Sequence, residues 1–187
     1  MFPALQLGCS LVAAPIAALG CVRLLLRLPP PHRQFGPWRG EATTVSPSAS
    51  LFRKAYIARH ALFAMGAPEA IYFHASHDSS GKSLEAAHTY SIRGEDPDTR
   101  WWSLTVYKDG HLIPNELHRY SFSKTNVSRG AGGSWTIRLS HDIQPANWLP
   151  VSAREGHLAL LLRCYGPSSR LLDRPEDFRF PEILQEA

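Results

Sequence analysis

No acidic residue occurs before Glu41, the chain holds only three cysteines, and no His-x-His, CxxC, HExxH or GxSxG string is present. Each absence removes a class. Cys9 and Cys21 lie in an apolar stretch and Cys164 stands alone in the rest, so no disulfide can close inside the domain. Without the zincin, zinc-ribbon and nucleophile-elbow signatures, those enzyme families lose their usual support. The net charge of +4 suggests an acidic partner until it is located: Arg23, Arg27, Arg33 and Arg39 all precede Glu41. Removing these four from the twenty Lys and Arg leaves as many bases as the sixteen acids, so residues 41–187 are neutral, which argues against nucleic-acid binding by the folded part. At 187 residues, 44% hydrophobic and 19% charged, the chain has the size and composition of one globular domain.

What is present begins with an apolar run. Phe2–Val22 reads FPALQLGCSLVAAPIAALGCV with no formally charged side chain, close to the ~20 residues that cross ~30 Å of hydrocarbon as a helix. The run predicts a single transmembrane anchor over residues 1–28, with Arg23 and Arg27 snorkelling at its end. It places the protein in the bacterial inner membrane and makes the lipid bilayer a partner through residues 2–28. A cleaved signal peptide is the competing reading, weakened by the lack of Lys or Arg in Met1–Ala4 and by the Arg-Leu-Leu-Leu-Arg that ends the apolar run. A lipoprotein signal at Ala18-Leu19-Gly20-Cys21 is also poor, with Ala18 where a large aliphatic is wanted. The positive-inside rule puts the chain beyond Arg27 in the cytoplasm. Pro29-Pro30-Pro31 stops the helix and opens a Pro/Ser-rich stalk over residues 29–49.

Residues 50–170 are expected to form the domain. Leu51, Ala55, Ala58 and Leu62 recur at helical spacing from an N-cap at Ser50, predicting a surface helix to Ala64. After Pro68 the period becomes two. Glu69–Ser76, Thr89–Arg93, Trp101–Tyr107, Arg119–Ser123, Ser134–Ser140 and His157–Tyr165 alternate as strands. Between them lie turn-forming runs such as Asp78-Ser79-Ser80-Gly81 and Lys108-Asp109-Gly110. The fold class is therefore mainly β: an antiparallel, jelly-roll-like sandwich with one N-terminal helix. Leu171–Ala187, with Pro175 and Pro181, reads as an irregular tail.

Candidate chemistry is sparse. Nine histidines invite a metal, yet strand ligands on one face sit at i and i+2, and His74 and His77 are three apart. No metal and no cofactor is expected. His77-Asp78 and His141-Asp142 are adjacent pairs that could orient an imidazole for acid–base work, without an activated Ser or Cys beside them. Two features are sharper. The polar face of Trp101–Tyr107 carries Trp101, Ser103, Thr105 and Tyr107, which suits stacking on a sugar ring or another amphipathic ligand and equally suits a second core layer. Arg163 falls on the opposite side of its strand from Leu160, Leu162 and Cys164. Its guanidinium cannot shed its proton and needs an acceptor there, either a protein carboxylate or an anionic ligand.

The string WWSLTVYKDGHLIPNELHRYS at Trp101–Ser121 resembles the bacterial family called domain of unknown function 1214. Gly36-Pro37-Trp38, EAIYFHASHDSSGKSLEAAHTYSI at Glu69–Ile92, Asn147-Trp148-Leu149-Pro150 and Leu162-Arg163-Cys164-Tyr165-Gly166-Pro167 carry the same resemblance across residues 36–167. It implies a β-rich jelly-roll-like fold and no particular reaction. Relatives often have an aromatic where this chain has His111 and an asparagine or small residue where it has His118. Many carry a companion domain upstream, and those with short N-terminal anchors look exported, which opposes the cytoplasmic reading and leaves the side open. The function expected is a tethered binding or scaffolding module for a carbohydrate, small amphiphile or cell-envelope component. Trp101, Tyr107, Asn115, Arg119, Trp148 and Arg163 would line its ligand site. The alternative is a hydrolase or isomerase using His77 or His141 with a carboxylate. The oligomeric state is left undetermined.

Overall fold

A computed structural model describes residues 16–24, 32–41, 50–52, 54–55 and 65–186. The chain divides into two units, Met1–Pro31 with Pro47–Ala64 and His32–Ser46 with Met65–Ala187. In the first, residues 16–24 are an exposed helix. Residues 51–52 and 54–55 are also helical, and the Lys54 N–H donates to the Ser50 carbonyl at 3.1 Å, the first turn of the helix expected from Ser50. The remainder of that helix, residues 56–64, lies outside the described residues.

The transmembrane expectation is corrected. Among the described residues no helix is long and apolar enough to cross a membrane. Residues 16–24 rise only about 14 Å as helix, against ~30 Å of hydrocarbon. The remainder of the expected span over residues 2–28 lies outside the described residues, and neither the single-pass anchor nor the inner-membrane location is supported.

The second unit is mainly β, in two sheets. Strands β1 (Arg33–Phe35) and β2 (Trp38–Glu41) form a hairpin whose turn needs Gly36, at φ +57°. The stalk expected over residues 29–49 is therefore partly strand. Then come β3 (Ala70–Ala75), β4 (Tyr90–Gly94), β5 (Thr99–Lys108), β6 (His111–Leu112), β7 (Ser121–Ser123), β8 (Trp135–Ser140), β9 (Trp148–Pro150) and β10 (Leu158–Pro167). The segment expected to be an irregular tail instead forms helix α1 (Ser169–Asp173), a 3-10 turn at Pro175–Asp177 and strand β11 (Glu182–Gln185).

The larger sheet runs β1-β2-β3-β10-β5-β6, with β7 also on β5, all antiparallel. The smaller runs β11-β4-β8-β9, and its β8–β9 pair is parallel, which departs from the all-antiparallel expectation. Side chains alternate across each strand, so the inner faces meet as one core. Trp102, Leu104 and Val106 of β5 and Leu160, Leu162 and Cys164 of β10 meet Ile92 of β4 and Trp135, Ile137 and Leu139 of β8. Trp102 stacks on Trp135 with ring centroids 4.9 Å apart. The C-terminal segment closes the layers: the Trp38 indole donates to the Pro181 carbonyl at 2.7 Å, and Phe180 packs on Phe35 and Phe73. Gly40 is dictated by that packing, since a Cβ there would fall 2.3 Å from the Phe73 ring.

The β3–β4 connection is organised by Asp78. One carboxylate oxygen accepts from the Ser80 N–H at 2.8 Å, the Ser80 hydroxyl at 2.7 Å and the Lys82 N–H at 2.9 Å. Burial alone raises the Asp78 pKa, but the bonds from Ser80 and Lys82 outweigh it and hold the carboxyl below its usual range.

Three variants are compared with the unmodified chain in urea denaturation. Asp78→Ala costs about 2–3 kcal/mol at neutral pH. Because the folded carboxyl titrates lower than the unfolded one, its contribution is complete above the ordinary carboxylate pKa of about 4 and disappears as pH falls through the folded value, so the deficit of the variant closes in acid. Trp38→Phe leaves the Pro181 carbonyl without its donor and costs about 1–3 kcal/mol beyond the change in volume. Trp135→Phe removes a buried indole N–H that has no partner among the described residues, so it lacks that extra cost.

Candidate ligand-binding face

The alternation that builds the core also builds the opposite face of the larger sheet. On β5 it turns Trp101, Ser103, Thr105 and Tyr107 outward; on β10 it turns out Ala159, Leu161, Arg163 and Tyr165. The register sets Arg163 opposite Ser103 on one side and Tyr72 on the other, and Tyr165 opposite Trp101. Three of the six expected site residues, Trp101, Tyr107 and Arg163, thus share one face. All three are half-buried.

Arg163 is held by hydroxyls. One terminal guanidinium nitrogen donates to Thr105 Oγ1 at 2.7 Å and the other to the Tyr107 hydroxyl at 2.6 Å. No carboxylate pairs with it among the described residues. Ser103 and Thr105 are buried beneath this layer. Trp101 and Tyr165 lean together at 5.3 Å between centroids and 49° between planes. On β3, the sheet desolvates the His74 imidazole and the Arg163 charge opposes its protonation, so both push His74 below its ordinary value. Desolvation and neighbouring Tyr165 push Tyr72 up. Burial pushes the inward-facing Cys164 thiol well up, which makes it a packing residue rather than a nucleophile.

The other three expected residues belong to a different place. Asn115 clasps its own loop: its amide nitrogen donates to the Ile113 and Arg119 carbonyls at 3.1 and 2.9 Å, and its oxygen accepts the Arg119 N–H at 3.0 Å. Arg119 reaches the Trp148 carbonyl at 3.4 Å, with its guanidinium 5.5 Å from the centre of the Phe122 ring. The Trp148 indole donates to the Ser140 carbonyl at 3.1 Å. These groups tie the β6–β7 loop to β9.

Sequence reasoning does not single out Tyr72, His74 and Tyr165 for the face. The only signal for them is the alternation of β3 and β10, which gives a side of the strand but not the neighbouring strand. The acid–base residues do not assemble. His77 Nδ1 lies 3.0 Å from the Ser76 hydroxyl and His141 Nδ1 3.3 Å from the Val151 carbonyl, and neither ring meets a carboxylate among the described residues. No group of three or more His, Cys, Asp or Glu among the described residues could hold a metal ion.

Comparison with known proteins agrees with this architecture. The crystal structure of the VPA0106 protein from Vibrio parahaemolyticus is similar in fold, with a TM-score of 0.68 at 21% identity over 100% of this chain and 46% of that one. A putative uncharacterized protein from Burkholderia cenocepacia matches at a TM-score of 0.43 and 18% identity over 64% of this chain and 30% of its own. The chain thus spans less than half the length of either protein. No curated protein matches. The family described as protein of unknown function DUF1214 matches residues 69–169, more than half of the sequence, and the chain belongs to that family.

Proposed function

We propose that the domain is a binding module whose ligand, a carbohydrate, small amphiphile or cell-envelope component, lies on the outer face of the larger sheet. The observation that carries this reading is the juxtaposition of aromatic planes and fixed hydroxyls. Trp101, Tyr107 and Tyr165 are half-buried on adjacent strands over a floor of Ser103 and Thr105. Aromatic planes supply apolar contact at little conformational cost, and a few fixed polar groups set orientation. Asn115, Arg119 and Trp148 are left out of this site, because their polar atoms serve the β6–β7 loop. Acid–base catalysis finds no support in the geometry of His77 and His141.

A panel of glycans and small amphiphiles, scored by melting temperature of the full chain, tests the reading, since a ligand that prefers the native state raises the transition. At least one class is expected to do so. For that class, Trp101→Ala weakens binding about tenfold, or about 1.4 kcal/mol, while Asn115→Ala leaves affinity unchanged and lowers stability. A panel with no active compound, or affinity indifferent to Trp101, overturns the proposal.

A further inference from the structure

We propose that this face takes its ligand by an anionic head, a carboxylate gripped by the free edge of the Arg163 guanidinium while the aromatic side chains flank an apolar body. The inference rests on the binding reading above and names the chemistry of the ligand.

Charge sets Arg163 apart from the other arginines. Arg33, Arg129, Arg138, Arg170 and Arg179 each reach a carboxylate. Four of these arginines are exposed, where a guanidinium is cheap to solvate and gains little from pairing, and Arg138, half-buried, has Glu186. Arg163 sits on the middle strand of the larger sheet, half-buried, and has no acid beside it among the described residues. Its charge cannot be removed by deprotonation. Hydroxyls orient it without neutralising it. Its neighbours on the face do not neutralise it either. Across the sheet from β10, Arg39 on β2 stands opposite His74 on β3, exposed and without an ion pair among the described residues. Glu41 is placed by register opposite Tyr72, two strands from Arg163.

The donor geometry points the same way. A guanidinium carries five N–H groups. Thr105 and Tyr107 accept one from each terminal nitrogen, leaving three to donate. A planar pair of oxygens matches that fork, which is why arginine recognises carboxylates in two-pronged fashion. Both hydroxyls accept from Arg163 and so keep their own protons to give. The Tyr107 hydroxyl, at 2.6 Å from the guanidinium, can donate to the same anion. The Arg163 guanidinium carbon lies 5.9 Å from the centre of the Tyr107 ring, so the two bonds to Thr105 and Tyr107 are what hold it in place when the head is absent.

The test compares three probes on the full chain by calorimetry: octanoate, its uncharged amide octanamide, and octyl glucoside. Octanoate is expected to bind at least tenfold more tightly than octanamide, and Arg163→Gln to abolish that preference. A second readout is the His74 imidazole, followed by NMR titration. With Arg163, Arg39 and Tyr72 around it, His74 is expected to titrate higher when octanoate is bound, because the added negative charge offsets Arg163. Equal affinity for octanoate and octanamide, a preference that survives in R163Q, or an unmoved His74 overturns the anionic head. If octyl glucoside still binds in a Trp101-dependent way, the broader reading of the face stands without it. If none of the three binds, the carboxylate proposal falls, and the glycan and amphiphile panel then decides the broader reading separately. Should R163Q not fold, salt decides on the unmodified chain: raised ionic strength weakens octanoate and leaves octanamide unchanged, and equal salt responses overturn the proposal.

Discussion

The pairing of β10 on both edges governs the larger sheet. Leu160–Tyr165 is bonded to β3 on one side and to β5 on the other, so its backbone groups are engaged in both directions and its register cannot drift. A slip of one residue would exchange the faces. Leu160, Leu162 and Cys164 would turn to the outside, and Arg163 would enter a core that offers no acceptor and no route to neutrality. The aliphatic side of the strand and its single arginine therefore specify the same register from opposite faces. Thr105 and Tyr107 on β5 complete this by giving the guanidinium two hydroxyl acceptors in that register alone.

Within the core the balance is different. Trp102 and Trp135 bridge the two sheets through ring contact, yet the N–H of each is buried with no partner among the described residues. Leaving such a donor unmade costs about 1–3 kcal/mol, a sum comparable with what a large buried side chain returns. Packing wins because the indole fills the space between layers. Trp38 satisfies both demands, burying its ring and donating to Pro181.

How much of this is legible in the sequence depends on the kind of signal. The six strands that alternation predicts are present with ends shifted by a few residues, because half-buried strands must alternate. β1 and β2 read as part of a stalk: strands of three and four residues beside prolines are too short to show a period. β11 escapes notice for the same reason, lying just after Pro181. The parallel β8–β9 pair has no local signature at all, since strand direction is decided by the connection. On the candidate face, alternation puts Trp101, Tyr107 and Arg163 each on the outer side of a strand, as found, but the adjacency of β5 and β10 that unites them is a fact of topology. Asn115, Arg119 and Trp148 come from a motif rather than from periodicity, and motif residues hold loops as often as they hold ligands.

The bond from Trp38 to Pro181 spans 143 positions in sequence. Closing so long a loop carries a large entropic barrier that is met before the contacts on either side repay it. β-rich topologies dominated by distant contacts fold slowly for this reason. Contacts that join the two ends of the unit therefore weigh on its folding rate more than on its stability. Opening that bond would loosen the cover over Phe35, Phe73 and Phe180, and apolar surface uncovered in this way favours association between chains.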